Sequence, residues 1–423
     1  MTAPALWNGF PLLQWDTGGY LARWFEGYLV PSRPGMYGLI LLGGAWANFW
    51  PVVVLQAALT VWVIHLVLRA HGFARPWMLL GVVATLTVFS TLPWLSAILL
   101  TDIFCGLGVL ALYLIMLRAD TLRSCERCAL IALVAIGGAT HSATYAVFLA
   151  LLAGAMVWHT RPGSPVALKP LLHGIAALVL GALVTLAANW SVSGQFVWTP
   201  GGAALSFGRM LQDGIVAKYL DEHCPDPRFR LCDHRNELPT DADMFFWGNS
   251  VFNKLGRFAG LGKEMQTIAV ESLAGYPVLQ LESAVLDTAK QIVDVRTGEG
   301  VLNTIYHTYG IITRYTPWAA PQMKAAHQQH GDISFTAINT LHYPLGLLAI
   351  LALPAIMIVL RQQRRFATVR DLAATVALAV LANAAVCGVF SNPHDRYGAR
   401  IVWLAVLTAL LAAITALRPA KID

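Results

Sequence analysis

Apolar residues run in long blocks along the chain, and the polar positions that interrupt them mark out its elements. Residues 37–46 predict a short apolar helix. Pro51 opens a full block to about Leu68, which Arg69, His71 and Arg75 close. Pro76 leads a second to about Leu92, where Pro93 and Trp94 make a tight turn. A third, about 97–117, is interrupted only by Asp102. Several blocks reach the roughly 18 apolar residues that mark a membrane-spanning helix. The block 128–158 is too long for one helix at about 20 residues per span. Gly137 to Ser142 predicts a break there between two short helices. Another span covers about 171–190, and then the hydropathy collapses. Residues 191–340 have mixed composition, with helical stretches expected near 265–273 and 278–295. Three closing spans fall near 341–360, 372–390 and 400–417.

The pattern predicts an all-α polytopic membrane protein with about nine membrane segments, two of them short, at about 20 residues per span. It has an N-terminal membrane module (1–190), a soluble insertion (191–340) and a C-terminal membrane module (341–423). Composition agrees. Of 423 residues, 57% are hydrophobic and only 12% charged, half the charge of an ordinary soluble protein; mean hydropathy is +0.59. The net charge of +6 requires no nucleic-acid partner, because Lys and Arg lie mainly in short loops between apolar blocks. No Walker loop, dinucleotide fingerprint or nucleophile elbow is present. Six cysteines are too few for a disulfide scaffold.

Charge also predicts orientation. Alternate connections carry Arg69/Arg75, Arg118/Arg123/Arg127, Arg161/Lys169, Arg361/Arg364/Arg365/Arg370 and the Arg418/Lys421 tail. By the positive-inside bias these are cytoplasmic, the C-terminus included. The opening stretch (1–50), Asp102, His141, the insertion and residues 391–400 then face outward from a plasma (inner) membrane. Residues 1–10 lack a signal-peptide pattern. Either a further helix precedes them or the N-terminal stretch crosses unaided.

Candidate chemistry gathers on that predicted outer side. Asp16 sits among Trp15, Tyr20, Trp24, Phe25 and Tyr28, with Arg33 following in a proline-bracketed turn. A lone acid in such a setting suits a base or a ligand; Asp-Thr-Gly-Gly also suits a helix N-cap. Asp102 is expensive inside a span and is read as functional, the alternative being a helix–helix hydrogen bond. His141, beside Ser142 at the split hairpin, lines the site or is a satisfied structural histidine. SNPHDRYGAR puts His394, Asp395, Arg396, Tyr397 and Arg400 outside against the charge trend. Forked guanidinium donors suit a phosphate; pairing with Asp395 or reaching to headgroups is the other reading. In HCPDPRFRLCDH, a Cys224–Cys232 disulfide suits an oxidising compartment. A zinc site with His223 and His234 would need unusual spacing. Asp226, Asp241 and Asp243 read as solvated faces and turns.

The placement of these residues resembles the GT-C class of integral membrane glycosyltransferases, such as protein O-mannosyltransferases and lipid A aminoarabinose transferases. The resemblance rests on Asp16 followed by Tyr20 and the Pro34-to-Tyr37 entry into the next helix. It also rests on Asp102 in TDIF and on Arg396-Tyr397 at the start of a late helix. It covers the membrane part only. It implies a GT-C-like fold and an enzyme moving a sugar from a polyprenyl-phosphate donor to an extracytoplasmic lipid, glycan or protein. Asp16 would be the base, and Asp102 would orient the acceptor or a divalent metal, the one cofactor left open. Arg33, His394, Arg396 and Arg400 would hold the donor phosphate; Tyr20, His141 and Tyr397 would line the site. Two other classes also handle lipid-linked sugars: an oligosaccharide polymerase or ligase of another fold, and a transporter or flippase. The transporter would more typically show inverted repeats, which are not evident.

Overall fold

The computed structural model describes residues 1–31, 33–200 and 203–418. Lys421 lies outside them. Among the described residues every regular element is a helix, apart from two isolated bridges joining Leu12 to Ile98 and Val30 to Arg33. Six helices are long and apolar enough to cross a membrane: Trp50–Ala70, Ser142–His159, Leu168–Ser193, Thr336–Val359, Arg364–Phe390 and Asp395–Leu417. Met36–Ala45, Pro76–Phe89 and Ile103–Leu117 are shorter apolar helices. This is a membrane-embedded helical protein.

At the centre stands Ile103–Leu117, whose residues are all buried. Its sequence is apolar on every face, and such a helix is stable only when protein surrounds it. Gly106 and Gly108 let its neighbours close in. A Cβ at those positions would lie 2.7 Å from the Trp403 ring and 2.0 Å from the Phe148 ring.

The span expected over 97–117 is not continuous. Leu92–Ala97 ends, residues 98–102 follow outside any helix, and Asp102 stands at the N-cap of Ile103–Leu117. The break is held from a distance. Leu12 N–H donates to Ala97 O (3.0 Å) and Leu99 N–H to Leu12 O (2.9 Å). The Gln56 amide donates to Ser96 O (3.1 Å) and Ile98 O (3.0 Å). Backbone groups freed by the break are thus satisfied, as burial requires. The break expected within 137–142 falls at His141, extended between Ser124–Thr140 and Ser142–His159.

The bundle is polar at both ends. At one, Arg69 donates to Glu126 (2.8 Å), Arg118 pairs with Asp371, and Arg418 donates to Gly72 O (2.5 Å). At the other lie Asp16, Asp102 and the Arg396 turn.

The stretch 191–340 divides between two cores. Residues 204–269 form their own apolar cluster, with Cys224 and Cys232 joined in a disulfide, Cα atoms 5.5 Å apart. Residues 301–335 instead join the main core and clamp the N-terminal stretch. Thr308 Oγ1 lies 2.8 Å from Trp15 O and 3.3 Å from Gly18 N. Gln328 bonds Leu13 through both its N–H (3.0 Å) and its carbonyl (2.8 Å).

Candidate functional site

Asp16 is the second residue of Trp15–Glu26, and the cap of that helix is Gln14. The Gln14 side chain accepts from Asp16 N–H (2.8 Å), and Thr17 Oγ1 accepts from Gln14 N–H (3.0 Å). With capping supplied by Gln14, the Asp16 carboxylate is free to face elsewhere. Its Oδ1 lies 2.6 Å from Arg33 Nη2, and its Oδ2 accepts from Arg396 Nη1 at 3.0 Å. Burial pushes this carboxyl up, but Arg33 and Arg396 outweigh it and hold it at about 2.

Arg396 continues to the second acid. Its Nε is 3.6 Å from Asp102 Oδ2. One turn on, on the same helix face, Arg400 Nη1 is 3.8 Å from Asp102 Oδ1. Arg400 is fully buried and is fixed by Asn383, whose Oδ1 accepts from its Nε (2.8 Å) and Nη2 (2.7 Å). Asn383 in turn donates to Tyr397 O (2.8 Å). The Tyr397 ring lies under both guanidiniums, 5.1 Å from Arg396 and 5.6 Å from Arg400, in cation–π range. Asp395 does not neutralise Arg396; its carboxylate accepts from Arg296 N–H (2.8 Å).

His394 lies between two carboxylates, Nδ1 2.7 Å from Glu299 and Nε2 3.3 Å from Asp243. Burial lowers its pKa, but the two acids outweigh that and push it up to about 9, so the ring is cationic at neutral pH. Both nitrogens are therefore engaged by protein acids. Sequence reasoning missed Glu299, which also accepts from Arg396 N–H (2.7 Å). Its one signal is the flanking pair Gly298 and Gly300, both at positive φ, which turns a single acid inward. Asp243, its side chain 42% exposed, is solvated and also reaches His394. Close by, Trp247 stacks on Arg33 at 5.1 Å.

Tyr20 is buried edge-on to Tyr37, ring centroids 5.4 Å apart. His141 is buried within electrostatic reach of Asp16, and its Nδ1 accepts from Ala143 N–H (3.2 Å). Beside Arg396 lies a small, partly open cleft. Gln14, Asp102, Glu299 and Arg396 form its polar wall; Trp94 and Leu95 begin its apolar one. Gln14 Nε2, Asp102 Oδ1, Arg396 Nε and Arg400 Nη1 are buried with no hydrogen-bond partner in the protein. Buried polar groups are nearly always satisfied, so this set has capacity for a polar guest.

Among the described residues no three His, Cys, Asp or Glu side chains group to hold a metal. The cation between Asp16 and Asp102 is the Arg396 guanidinium, which a divalent ion would have to displace. The disulfide removes the thiolates that zinc would need at Cys224 and Cys232. No protein-family model, curated protein or solved structure matches this chain.

Proposed function

We propose that this chain is a GT-C-type membrane glycosyltransferase that moves a sugar from a polyprenyl-phosphate donor to an extracytoplasmic hydroxyl. The observation that supports the reading is the bridging of Asp16 and Asp102 by Arg396, beside a cleft with one polar and one apolar wall. Three residues remote in sequence make one charged centre, and its arginines present forked donors of the kind that bind phosphate.

In this mechanism the donor phosphate takes over Arg33 and Arg396. Asp16 loses the two cations that depress its pKa and becomes a stronger base. It accepts the proton of the acceptor hydroxyl while the oxygen attacks the anomeric carbon. The bond from that carbon to the phosphate oxygen breaks, and polyprenyl phosphate leaves with the electron pair, stabilised by the guanidiniums. Asp102, beside Arg400, orients the acceptor. The apolar wall suits the isoprenoid. The basic residues at the opposite end of the bundle support an outward location for this centre.

The test is transfer from a radiolabelled polyprenyl-phosphate sugar pool in membranes, with protein abundance checked in parallel. Asp16→Asn keeps shape but removes the base, and is expected to lose about a hundredfold or more in turnover. Arg396→Lys keeps charge but loses the fork, and should fall more gently. Near-normal transfer by Asp16→Asn at normal abundance would rule the mechanism out. A flippase needs the arginines but no base, so movement of donor without transfer would identify that class instead.

A further inference from the structure

The helix Pro277–Val293 is built the wrong way round for water. Its buried residues are Gln280, Ser283 and Gln291, while Val278 is 78% exposed, Leu281 67%, Val285 60% and Leu286 62%. A helix on a soluble domain turns its apolar stripe inward; this one turns Gln280, Ser283 and Gln291 inward, and the two glutamines find partners there. Gln280 accepts from Arg209 Nη2 (2.7 Å). The Gln291 amide bonds both backbone groups of His394, accepting from N–H (2.9 Å) and donating to O (2.8 Å).

Its neighbours fix its depth. Arg209 Nε donates to Val389 O (3.2 Å), and Gly388 packs on the Asp287 backbone, where a Cβ would meet it at 2.9 Å. Further along, Ile292 and Val295 share a small cavity with Ile350, Val380 and Val402, which belong to the last three spans. Val380 is ten residues before the end of its helix at Phe390, or about 15 Å at 1.5 Å per residue. The C-terminal end of Pro277–Val293 thus packs on the end turns of the last two spans, from the His394 backbone that Gln291 holds to Val380 in the neighbouring helix. The span beside it turns Leu381 and Phe390 outward, so the exposed apolar edge continues a surface that membrane already covers. Hydropathy hides this, because Gln280, Glu282, Asp287, Lys290 and Gln291 dilute the average. Glu282 and Lys290 are exposed, and their stems are long enough to bring the charges to headgroups.

We propose that Pro277–Val293 is a re-entrant helix lying in the bilayer, its exposed edge in contact with phospholipid acyl chains. The assignment rests on the membrane character of the bundle and not on the transferase reading. The experiment uses the full chain in phosphatidylethanolamine/phosphatidylglycerol vesicles, with Cys105, Cys125, Cys128 and Cys387 replaced and the disulfide kept. Spin labels are placed singly at Leu281, Val285, Leu351 as a span control, and Lys254, exposed within the 204–269 stretch, as a water-facing control. Collision with oxygen is expected to dominate over collision with an aqueous nickel complex at Leu281 and Val285, as at Leu351, and the ratio to invert at Lys254. Labels at Leu281 and Val285 that behave like Lys254 would overturn the proposal. So would exclusion of both reagents, which would place a protein partner on this edge. Carbene photolabelling of the unsubstituted chain from a bilayer-soluble diazirine, read by peptide mass, repeats the test without any substitution. Absence of label from 277–293 while 336–359 is modified would overturn it equally.

Discussion

Arg396 bonds Asp16 through Nη1, approaches Asp102 with Nε, and has its own backbone N–H held by Glu299. Arg400 carries less of that traffic but is buried deeper, with Asn383 and Cys387 as its acceptors. Removing one partner of a buried ion pair leaves an uncompensated charge, which costs about 3–5 kcal/mol. Arg400→Met is therefore expected to lower thermal stability in detergent by that order, and Asp102→Asn in the same chain to recover part of it. His394 gives a pH signature. Its folded pKa of about 9 stands above the ordinary 6.5, so its pairing with Glu299 and Asp243 contributes fully below about 6.5 and is lost as pH rises through 9. Melting temperatures of the parent and Asp243→Asn should differ at pH 6 and converge above 9. Asp16 has the opposite sign: its contribution is present above its ordinary 3.8 and fades as pH falls through about 2.

Helices meet closely where Gly398 faces the turn after Pro277–Val293. A Cβ at Gly398 would lie 2.0 Å from Asp294 O, which is backbone and cannot swing away. Gly398→Ala should push residues 294–299, and with them Glu299, off the Asp395–Leu417 helix. Overpacking of this kind costs about 1–3 kcal/mol, and transfer activity should fall with it. Gly310→Ala, where a Cβ meets nothing within 4 Å, is the control: it should leave activity unchanged and, as an exposed helix position, should not lower stability. The same contacts explain what the sequence could and could not convey. Long apolar blocks and the Gly-rich break at His141 are local signals, and they were legible. The break before Asp102 was not, because it depends on Leu12 bonding residues 97 and 99 from far along the chain. Glu299 and Asp243 were hidden because single acids in a polar stretch look only solvated until His394 is brought against them. Pro277–Val293 was found as a helix, but its surroundings were not, since they follow from which face its glutamines bury.

Across the whole molecule, the basic connections and the Asp16–Arg396–Asp102 centre lie at opposite ends of one helical bundle. By the positive-inside bias the basic end is expected to be cytoplasmic. A cysteine introduced at Gln363, with the native free thiols removed, should stay unlabelled by an impermeant maleimide in intact cells, while one at Lys254 is labelled. The reverse result would invert the topology and put the Asp16 centre in the cytoplasm. Between the two ends runs Ile103–Leu117, enclosed on every side. Spans that face lipid, such as Leu168–Ser193 at Leu172, Val179 and Leu183, can drift among apolar residues, because a bilayer accommodates any of them. The central helix has no such freedom. A larger side chain at Gly106 must be answered by a smaller one at Trp403, and one at Gly108 by a change at Phe148. Descendants of this chain can alter its axis only by compensated double steps, so the segment most completely enclosed by protein is the one whose history should be written in covarying pairs.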